Sequence, residues 1–307
     1  MSNVKNNKVK KKRNLKRYIP IYLMAIPGVL YMIANNYLPM FGIIIAFKKL
    51  NFSKGFWGSD WAGFSNFEFL FKSSTAFTII RNTVLYNLVF IVLGMVLAVA
   101  SAILLNEIRS KFASKTYQTL IMLPYLIGWV IVSYLVYAYL ATDTGLINSI
   151  TGNKTNFYST QKYWPFILVF VNLWKNTGYS MIVYFASIVG ISTEYYEAAQ
   201  IDGATRWQQI KNITLPLLKP TVITMMILNV GHIFASDFGL FYQVPKNTGI
   251  LYPVTQTIDV YVYNALMNNS DYAMSSAASV FQSVVGFILV MITNAIVKRT
   301  NKSSALF

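Results

Sequence analysis

The feature that most constrains this chain is a set of long apolar runs, each close to the roughly 20 residues that an α-helix needs to cross a bilayer. Charged residues make up only 12% of the 307-residue sequence, whereas an ordinary soluble domain carries roughly 25%. We predict six membrane-spanning helices, at residues 21–47, 82–105, 119–140, 164–189, 221–241 and 275–297. The sequence therefore predicts an all-α, polytopic membrane protein, with residues 18–307 as one transmembrane domain.

The first apolar run is irregular, because Pro27 and Pro39 lie inside it. Proline removes a backbone donor and disfavours the helical conformation in the residue before it. Non-helical backbone is tolerated at membrane depth where protein or a water-filled cavity surrounds it. We therefore expect this span to be kinked or partly re-entrant.

Basic residues are concentrated at the start of the chain: eight of the 26 Lys and Arg residues lie in the first 17 positions, and the net charge is +16. A basic segment beside an apolar run sets membrane orientation, since Lys and Arg favour the cytoplasmic side. With six spans in this orientation, 17 basic residues lie inside and 8 outside. We predict a basic cytoplasmic tail at residues 1–17, with both termini and residues 190–220 in the cytoplasm. No recognition fold with a basic face follows, so a nucleic-acid partner is not expected.

The cytoplasmic segment between the fourth and fifth predicted spans carries signals for two short helices. Ser192 or the threonine after it can cap the first helix, and Gly203 can end that helix by adopting a left-handed conformation. Thr205, followed three residues later by Gln208, has the spacing of a capping box for the second helix. Pro216 is expected to end the second helix. The segment should therefore be ordered.

Small and apolar residues recur in this segment and allow two interpretations. Ala198, Ala199, Ile201, Ala204 and Trp207 would form a surface that a partner grips, or they would pack against the ends of the protein's own helices. Connections of this length are often functional. The spacing by itself leaves both interpretations open.

The same segment contains three short motifs, Glu197-Ala198-Ala199, Asp202-Gly203-Ala204 and Ile213-x-Leu215-Pro216. With these motifs it resembles the EAA loop of the permease subunits of bacterial binding-protein-dependent ABC importers. Its position before the penultimate span is similar to that in the family. Other motifs resemble the carbohydrate-uptake branch, and in particular the polysaccharide-type permeases of Gram-positive bacteria: Asn36-Tyr37-Leu38-Pro39-Met40, Trp61-x-Gly63-Phe64-x-Asn66-Phe67 and Asp237-Phe238-Gly239-Leu240-Phe241.

The resemblance implies the type I ABC importer permease fold in the cytoplasmic membrane of a bacterium. It implies three kinds of partner: a second homologous permease, two ATPase subunits and an extracellular lipid-anchored substrate-binding protein. An oligosaccharide or glycan fragment would cross by alternating access, while another solute class, such as a peptide or other polar solute, stays open. The residues expected to couple this chain to the ATPase are Glu197, Ala198, Ala199, Asp202, Gly203, Ala204 and Trp207.

This chain is expected to bind no cofactor itself. It lacks the G-x-x-x-x-G-K-[ST] loop that holds nucleotide phosphates, so ATP and Mg would bind to the partner ATPase. Polar residues within membrane spans are rare and are functional candidates by default. The candidate substrate-binding residues are Asn172, Trp174, Lys175, Asn176, Tyr179, Asn229, His232 and Asp237. Instead of contacting substrate, Lys175 could form an interhelical ion pair or lie in a water-filled crevice. His232 could instead be a hydrogen-bonded packing residue.

Two other classes of membrane protein compete with this interpretation. An integral-membrane enzyme would need paired carboxylates, a Ser/His/Asp group or metal-ligand spacing, and the sequence contains none of these patterns. A secondary transporter would need duplicated spans or a relay of intramembrane carboxylates. Neither pattern is evident in the six spans, so an importer permease without a metal site is the prediction.

Overall fold

Helices make up most of the protein, as the sequence predicts. The computed structural model describes residues 19–300, so the predicted tail at residues 1–17 lies outside the described residues. The α-helices are α1 Ile19–Met32, α2 Gly55–Gly58, α3 Glu68–Lys72, α4 Ser74–Asn106, α5 Lys111–Leu126, α6 Trp129–Leu140, α7 Leu146–Thr151, α8 Trp164–Val189, α9 Thr193–Ile201, α10 Arg206–Gln209, α11 Leu215–Gly231, α12 Tyr252–Thr255, α13 Ile258–Asn269 and α14 Tyr272–Thr300. Strands β1 Lys48–Lys49 and β2 Asp60–Trp61 form an antiparallel pair.

Within residues 19–300, five helical runs are long and apolar enough to cross a membrane, and α5 with α6 makes a sixth if this bent pair is one span. The five runs are Tyr22–Phe47, Ser74–Asn106, Gln161–Val189, Arg206–Gly231 and Tyr272–Arg299. Each of the six predicted spans therefore has a counterpart. The predicted all-α membrane fold is confirmed.

The first span is one helical run whose winding changes along its length. α1 contains Pro27 and passes into a π turn at Ile33–Tyr37 and then a 3₁₀ helix at Leu38–Phe47. Pro39 lies in the first turn of that 3₁₀ helix, directly after the π turn, where the change of winding alters the hydrogen-bond pattern and accommodates the missing N–H. The predicted irregularity is confirmed, and the run is continuous rather than re-entrant.

The predicted third span, residues 119–140, is not a continuous helix. α5 and α6 meet at 94°, with Pro124 in the last turn of α5 and extended backbone at Ile127 and Gly128. Hydropathy does not reveal such a bend, because the apolar run continues through it. The bend leaves backbone carbonyls without helical partners.

The predicted fifth span, residues 221–241, is also corrected by the structure. α11 ends at Gly231, residues 232–237 are non-helical, and a π turn follows at Gly239–Gln243. A Cβ on Gly286 of α14 would collide with the carbonyl oxygen of Gly231. The two helices therefore cross with their backbones in close contact where α11 stops.

The expected helix end at Pro216 is wrong. A π turn at Ile210–Thr214 joins α10 directly to α11, and Pro216 lies in the first turn of α11. The wider turn alters the hydrogen-bond pattern just before the proline, so the missing N–H does not interrupt the helix. One helical run therefore connects residue 206 with the membrane.

A folded-back segment, defined here as residues 232–257, packs between the ends of the spans. Its buried residues Leu240, Phe241, Val244 and Leu251 contact α4, α6 and α8. Side chains of the spans satisfy its irregular backbone: the amide of Asn87 donates to the carbonyl oxygens of Ile233 and Ala235, that of Asn82 to Pro253 and Gln256, and that of Gln282 to Phe234. Backbone that is not helical is thereby stabilised at membrane depth.

Small residues allow α4 and α8 to lie close together. Gly94, Ala98 and Ala102 recur every fourth residue, and the two alanines are fully buried against Met181 and Tyr184 of α8. Small side chains on one helix face favour close approach in membranes, because packing rather than the hydrophobic effect drives association there. The small residues therefore hold α4 against α8.

Gly178 of α8 faces the backbone of α5, so we expect Gly178→Ala to force these helices apart. A Cβ at this position would collide with the carbonyl oxygen of Ile121. We expect a loss of about 1–3 kcal/mol of stability, as is usual for overpacking, measured as a lower Tm of the detergent-solubilised protein. Gly94→Ala is the matched control, because its Cβ would meet only Leu173 Cδ2 at 3.8 Å. Equal melting temperatures for the two variants would contradict this assignment.

Candidate substrate cavity and coupling segment

A cavity of about 470 Å³ opens between α4, α8 and α11, beside the start of the folded-back segment. Six of the eight predicted substrate residues line it: Asn172, Asn176, Tyr179, Asn229, His232 and Asp237. Tyr125, next to the break in the third span, lies on the same wall. The fold thus brings together residues that are distant in the sequence.

Three amides give the cavity its hydrogen-bonding capacity. Asn172 is only 8% exposed, and Asn172, Asn176 and Asn229 all line the space. No hydrogen bond joins these amide groups to another group within residues 19–300. Buried amides need hydrogen-bond partners for their donors and acceptor. Because these three have none within the described residues, their donors and acceptors are available to a polar solute.

Two stacked tyrosines form an aromatic surface in the same space. The ring of Tyr179 lies parallel to that of Tyr125, with centroids 4.4 Å apart and planes inclined by 12°. Ser180 and Thr177 lie near them on α8. The cavity therefore combines polar groups with a flat apolar face.

Asp237 is the acidic residue of the cavity lining. Its Oδ1 accepts a hydrogen bond from the backbone N–H of Leu240 at 3.3 Å. His232 lies one helical turn beyond Leu228, and its Nδ1 is 3.0 Å from that residue's carbonyl oxygen. His232 is thus held by a hydrogen bond, as in the packing alternative, while also lining the cavity.

Lys175 does not line the cavity, and the structure gives it a different role from the predicted substrate contact. Its side chain is buried, and its ammonium donates to the carbonyl oxygens of Pro124, Tyr125 and Ile127. The ring of Trp129 lies 5.0 Å from its Nζ, in cation–π contact. Lys175 therefore stabilises the break between α5 and α6 by satisfying the carbonyls that the bend leaves free.

Trp174 also lies away from this cavity. It lines a separate apolar crevice with residues of α6 and α8, among them Leu135, Tyr139, Phe166 and Phe170. Successive residues of a helix point about 100° apart, so its neighbours on α8 face other surroundings. Its predicted contact with substrate has no geometric support in this structure.

The predicted caps order the segment of residues 192–214. Ser192 Oγ accepts from the N–H of Glu194, Gly203 has a left-handed φ of +77°, and Thr205 forms a full capping box with Gln208. Tyr196 and Thr214 hydrogen-bond through their hydroxyls at 3.0 Å and tie α9 to the π turn that follows α10. The prediction of an ordered helix–turn–helix is confirmed.

This 192–214 segment exposes much of its apolar surface. Ile201 is 87% and Trp207 70% exposed; Ala198 is exposed, whereas Ala199 and Ala204 are half-buried. The three polar or turn-forming motif residues Glu197, Asp202 and Gly203 are also exposed. The alternative that these residues only pack against the protein's own helix ends is therefore not favoured.

Comparison with known proteins assigns the family. Residues 90–302 match the family model of the binding-protein-dependent transport system inner membrane component. This chain belongs to that family. The predicted importer-permease family is thereby confirmed, and this permease is a membrane component of a transport system rather than an enzyme.

Two relatives from Bacillus subtilis (strain 168) are similar to this permease over nearly its whole length. Protein LplB is 35% identical, with 93% of this chain and 90% of the relative covered. The polygalacturonan/rhamnogalacturonan transport system permease protein YteP is 35% identical, with 95% of this chain and 92% of the relative covered. The similarity therefore includes the spans before residue 90 as well.

A solved structure has the same fold as this permease. It is a chain of a bacterial ABC transporter involved in the import of the acidic polysaccharide alginate, with a TM-score of 0.84 and 31% identity over 94% of this chain and 98% of that chain. A second structure of the alginate transporter, in complex with an alginate pentasaccharide-bound periplasmic protein, gives a TM-score of 0.83, with 31% identity, 94% of this chain and 97% of that chain covered. The predicted ABC importer permease fold is confirmed.

Sequence reasoning missed several residues of the cavity in this permease. Asn87 is a polar residue within a predicted span and could have been found by the criterion that selected Asn229. Tyr125 could not, because an aromatic residue in an apolar run is ordinary and only the bend turns it toward α8. Ser180 and Thr177 also could not have been selected from the sequence, because small hydroxyl residues are common inside membrane helices.

Replacing Lys175 by Met should destabilise the permease. The substitution would leave the carbonyl oxygens at the bend without donors, at a cost of about 3 kcal/mol or more. We expect a clearly lower Tm in detergent and poor assembly, whereas Lys162→Met, at an exposed lysine, should leave the Tm unchanged. A Lys175→Met protein with normal Tm but altered substrate affinity would instead restore the substrate-contact interpretation.

Proposed function

We propose that this permease forms the translocation path of an ATP-driven importer for an oligosaccharide or glycan fragment, together with a second homologous permease. The observation that carries this proposal is the cavity at the break in the third span. Its free amides match the donors and acceptors of sugar hydroxyl groups, and its stacked tyrosines offer a flat surface for the C–H face of a sugar ring. YteP is named as a polygalacturonan/rhamnogalacturonan permease, and the similar solved structure is named as an importer of alginate. Both names support the same solute class.

Energy would come from two ATPase subunits that bind ATP and Mg and grip the 192–214 segment. Glu197 would fix the segment through polar contacts, and the exposed Trp207 would insert into a groove of the ATPase. Because α10 continues through a π turn into α11, movement of the segment would be transmitted to the helix that carries Asn229. This continuity connects the proposed motor contact with the cavity wall.

The proposed orientation places residues 1–17, both termini and the 192–214 segment in the cytoplasm of a bacterium. A substrate-binding protein would dock on the opposite face; the family is binding-protein-dependent, and the alginate transporter forms a complex with such a protein. Lipid anchoring of that protein and the cytoplasmic termini are parts of the proposal. Alternating access would move the cavity between the two faces.

Gly203→Val should uncouple uptake from ATP hydrolysis. A β-branched residue is strained by about 1–2 kcal/mol in a left-handed conformation, so the turn between α9 and α10 would shift. We expect an uptake rate at least about tenfold lower, a factor that corresponds to about 1.4 kcal/mol, with normal amounts of protein in the membrane. Gly152→Val is the matched control, because Gly152 also has a left-handed φ, of +70°, but ends α7 on the other side. Normal uptake by Gly203→Val would contradict the coupling role.

Purification in mild detergent, followed by mass spectrometry, tests the proposed assembly. We expect one ATPase and one homologous permease to co-purify with this chain, and the ATPase alone to be lost from a variant with residues 194–208 replaced by a Gly/Ser linker. Recovery of the second permease without the ATPase from that variant would support the segment's role most directly.

An uptake assay with radiolabelled peptides and oligosaccharides distinguishes the solute classes, and uptake of peptides alone would contradict the proposal.

A further inference from the structure

The cavity lining contains very little charge. Among the described lining residues, Asp237 is the only acidic one, and none is Lys or Arg. The remaining polar lining consists of amides, hydroxyl groups and the ring of His232. The lining therefore offers no free cation with which a solute carboxylate could pair.

The nearest buried cation, Lys175, has no donor left for a solute. An ammonium group has three N–H donors and no acceptor, and Lys175 donates to three carbonyl oxygens, those of Pro124, Tyr125 and Ile127. Its stem is enclosed, since the residue is 5% exposed. A carboxylate of a solute could not pair with it without breaking the contacts that stabilise the bend.

Asp237 adds a charge of the wrong sign for an acidic solute. Within residues 19–300, the ion pairs closer than 4 Å are Lys54 with Asp60 and Lys72 with Glu68, both at exposed positions. The buried Lys175 attracts Asp237 from farther away, so these two charges offset each other and neither is left to pair with a solute. Like charges in a partly dehydrated site repel strongly, because the effective dielectric constant is about 20 rather than 80. A uronate near this carboxylate would therefore be disfavoured.

From this distribution of charge we infer that the cavity selects uncharged, hydroxyl-rich sugar units and disfavours uronic acids. The inference rests on the proposed function and narrows its solute class. The inferred solute differs from the acidic polymers, alginate and polygalacturonan, that appear in the names of two similar proteins. The buried, unpartnered amide of Asn172 supports it, because a neutral amide recognises a hydroxyl group through paired donor and acceptor contacts.

The first test uses the full transporter with its binding protein in nanodiscs at pH 8. A panel of neutral and uronate-containing oligosaccharides is screened for stimulation of ATP hydrolysis. We expect the stimulating sugars to be uncharged. A uronate oligosaccharide that stimulates as strongly as the best neutral one overturns the inference. If no sugar stimulates and a different solute does, the proposed function itself fails.

The second test examines the cavity directly. The stimulating sugar and its C6-oxidised form, which differ only by a carboxylate for each hydroxymethyl group, are titrated against the transporter without the binding protein. We expect the neutral form to bind at least about tenfold more tightly, because the cavity offers no cation to offset the cost of dehydrating a carboxylate. Equal affinity for the two forms overturns the inference.

Two substitutions assign the selectivity to this cavity. Asn176→Lys adds a cation to the wall and should reduce the preference for the neutral form several-fold, whereas Asn176→Gln, which keeps the amide, should preserve it. Asp237→Asn should reduce the preference in the same direction by removing the repelling charge. An unchanged preference in both the Asn176→Lys and Asp237→Asn proteins shows that selection occurs elsewhere and overturns the assignment.

Discussion

The rest of this structure depends on the requirement that backbone polar groups inside a membrane find partners within the protein. Water is absent from the hydrocarbon core, so an unpaired carbonyl costs several kcal/mol there. This chain interrupts two of its spans, at residues 127–128 and again after Gly231. Both interruptions persist because polar side chains of other spans donate to the freed carbonyls, with Lys175 at the first and Asn87 and Gln282 at the second. Polar residues within the spans thus act first as stabilisers of irregular backbone.

The same interruptions create the site. The bend after α5 turns Tyr125 toward α8, where it stacks on Tyr179, and the end of α11 turns His232 and Asp237 toward the cavity. Trp129 lies at the junction, since its ring contacts Lys175 and also packs against Gly239. Residues that stabilise the fold and residues that are free to meet a solute therefore lie side by side, and only the hydrogen-bond partners distinguish them.

Sequence reasoning was most successful where a local interaction determines the structure. The cap at Ser192, the left-handed Gly203 and the capping box of Thr205 and Gln208 involve neighbours in the chain, so their pattern predicts their geometry. It failed at the bend in the third span and at Pro216. The effect of a proline depends on the turn before it and on the groups around it: a π turn accommodates Pro216, whereas Pro124 precedes a break whose carbonyls have Lys175 as a partner.

The sequence by itself determined the number of spans, their approximate positions, the ordered 192–214 segment and the family, because these depend on apolar length, on capping residues and on a contiguous motif. Tertiary structure decided which polar residues inside the spans face the cavity. Asn176 and Lys175 are neighbours in one helix, yet one lines the cavity and the other is buried against the carbonyls of α5. Their different roles follow from the direction in which each side chain points and from the distant backbone it meets, and neither is encoded in the local pattern of residues.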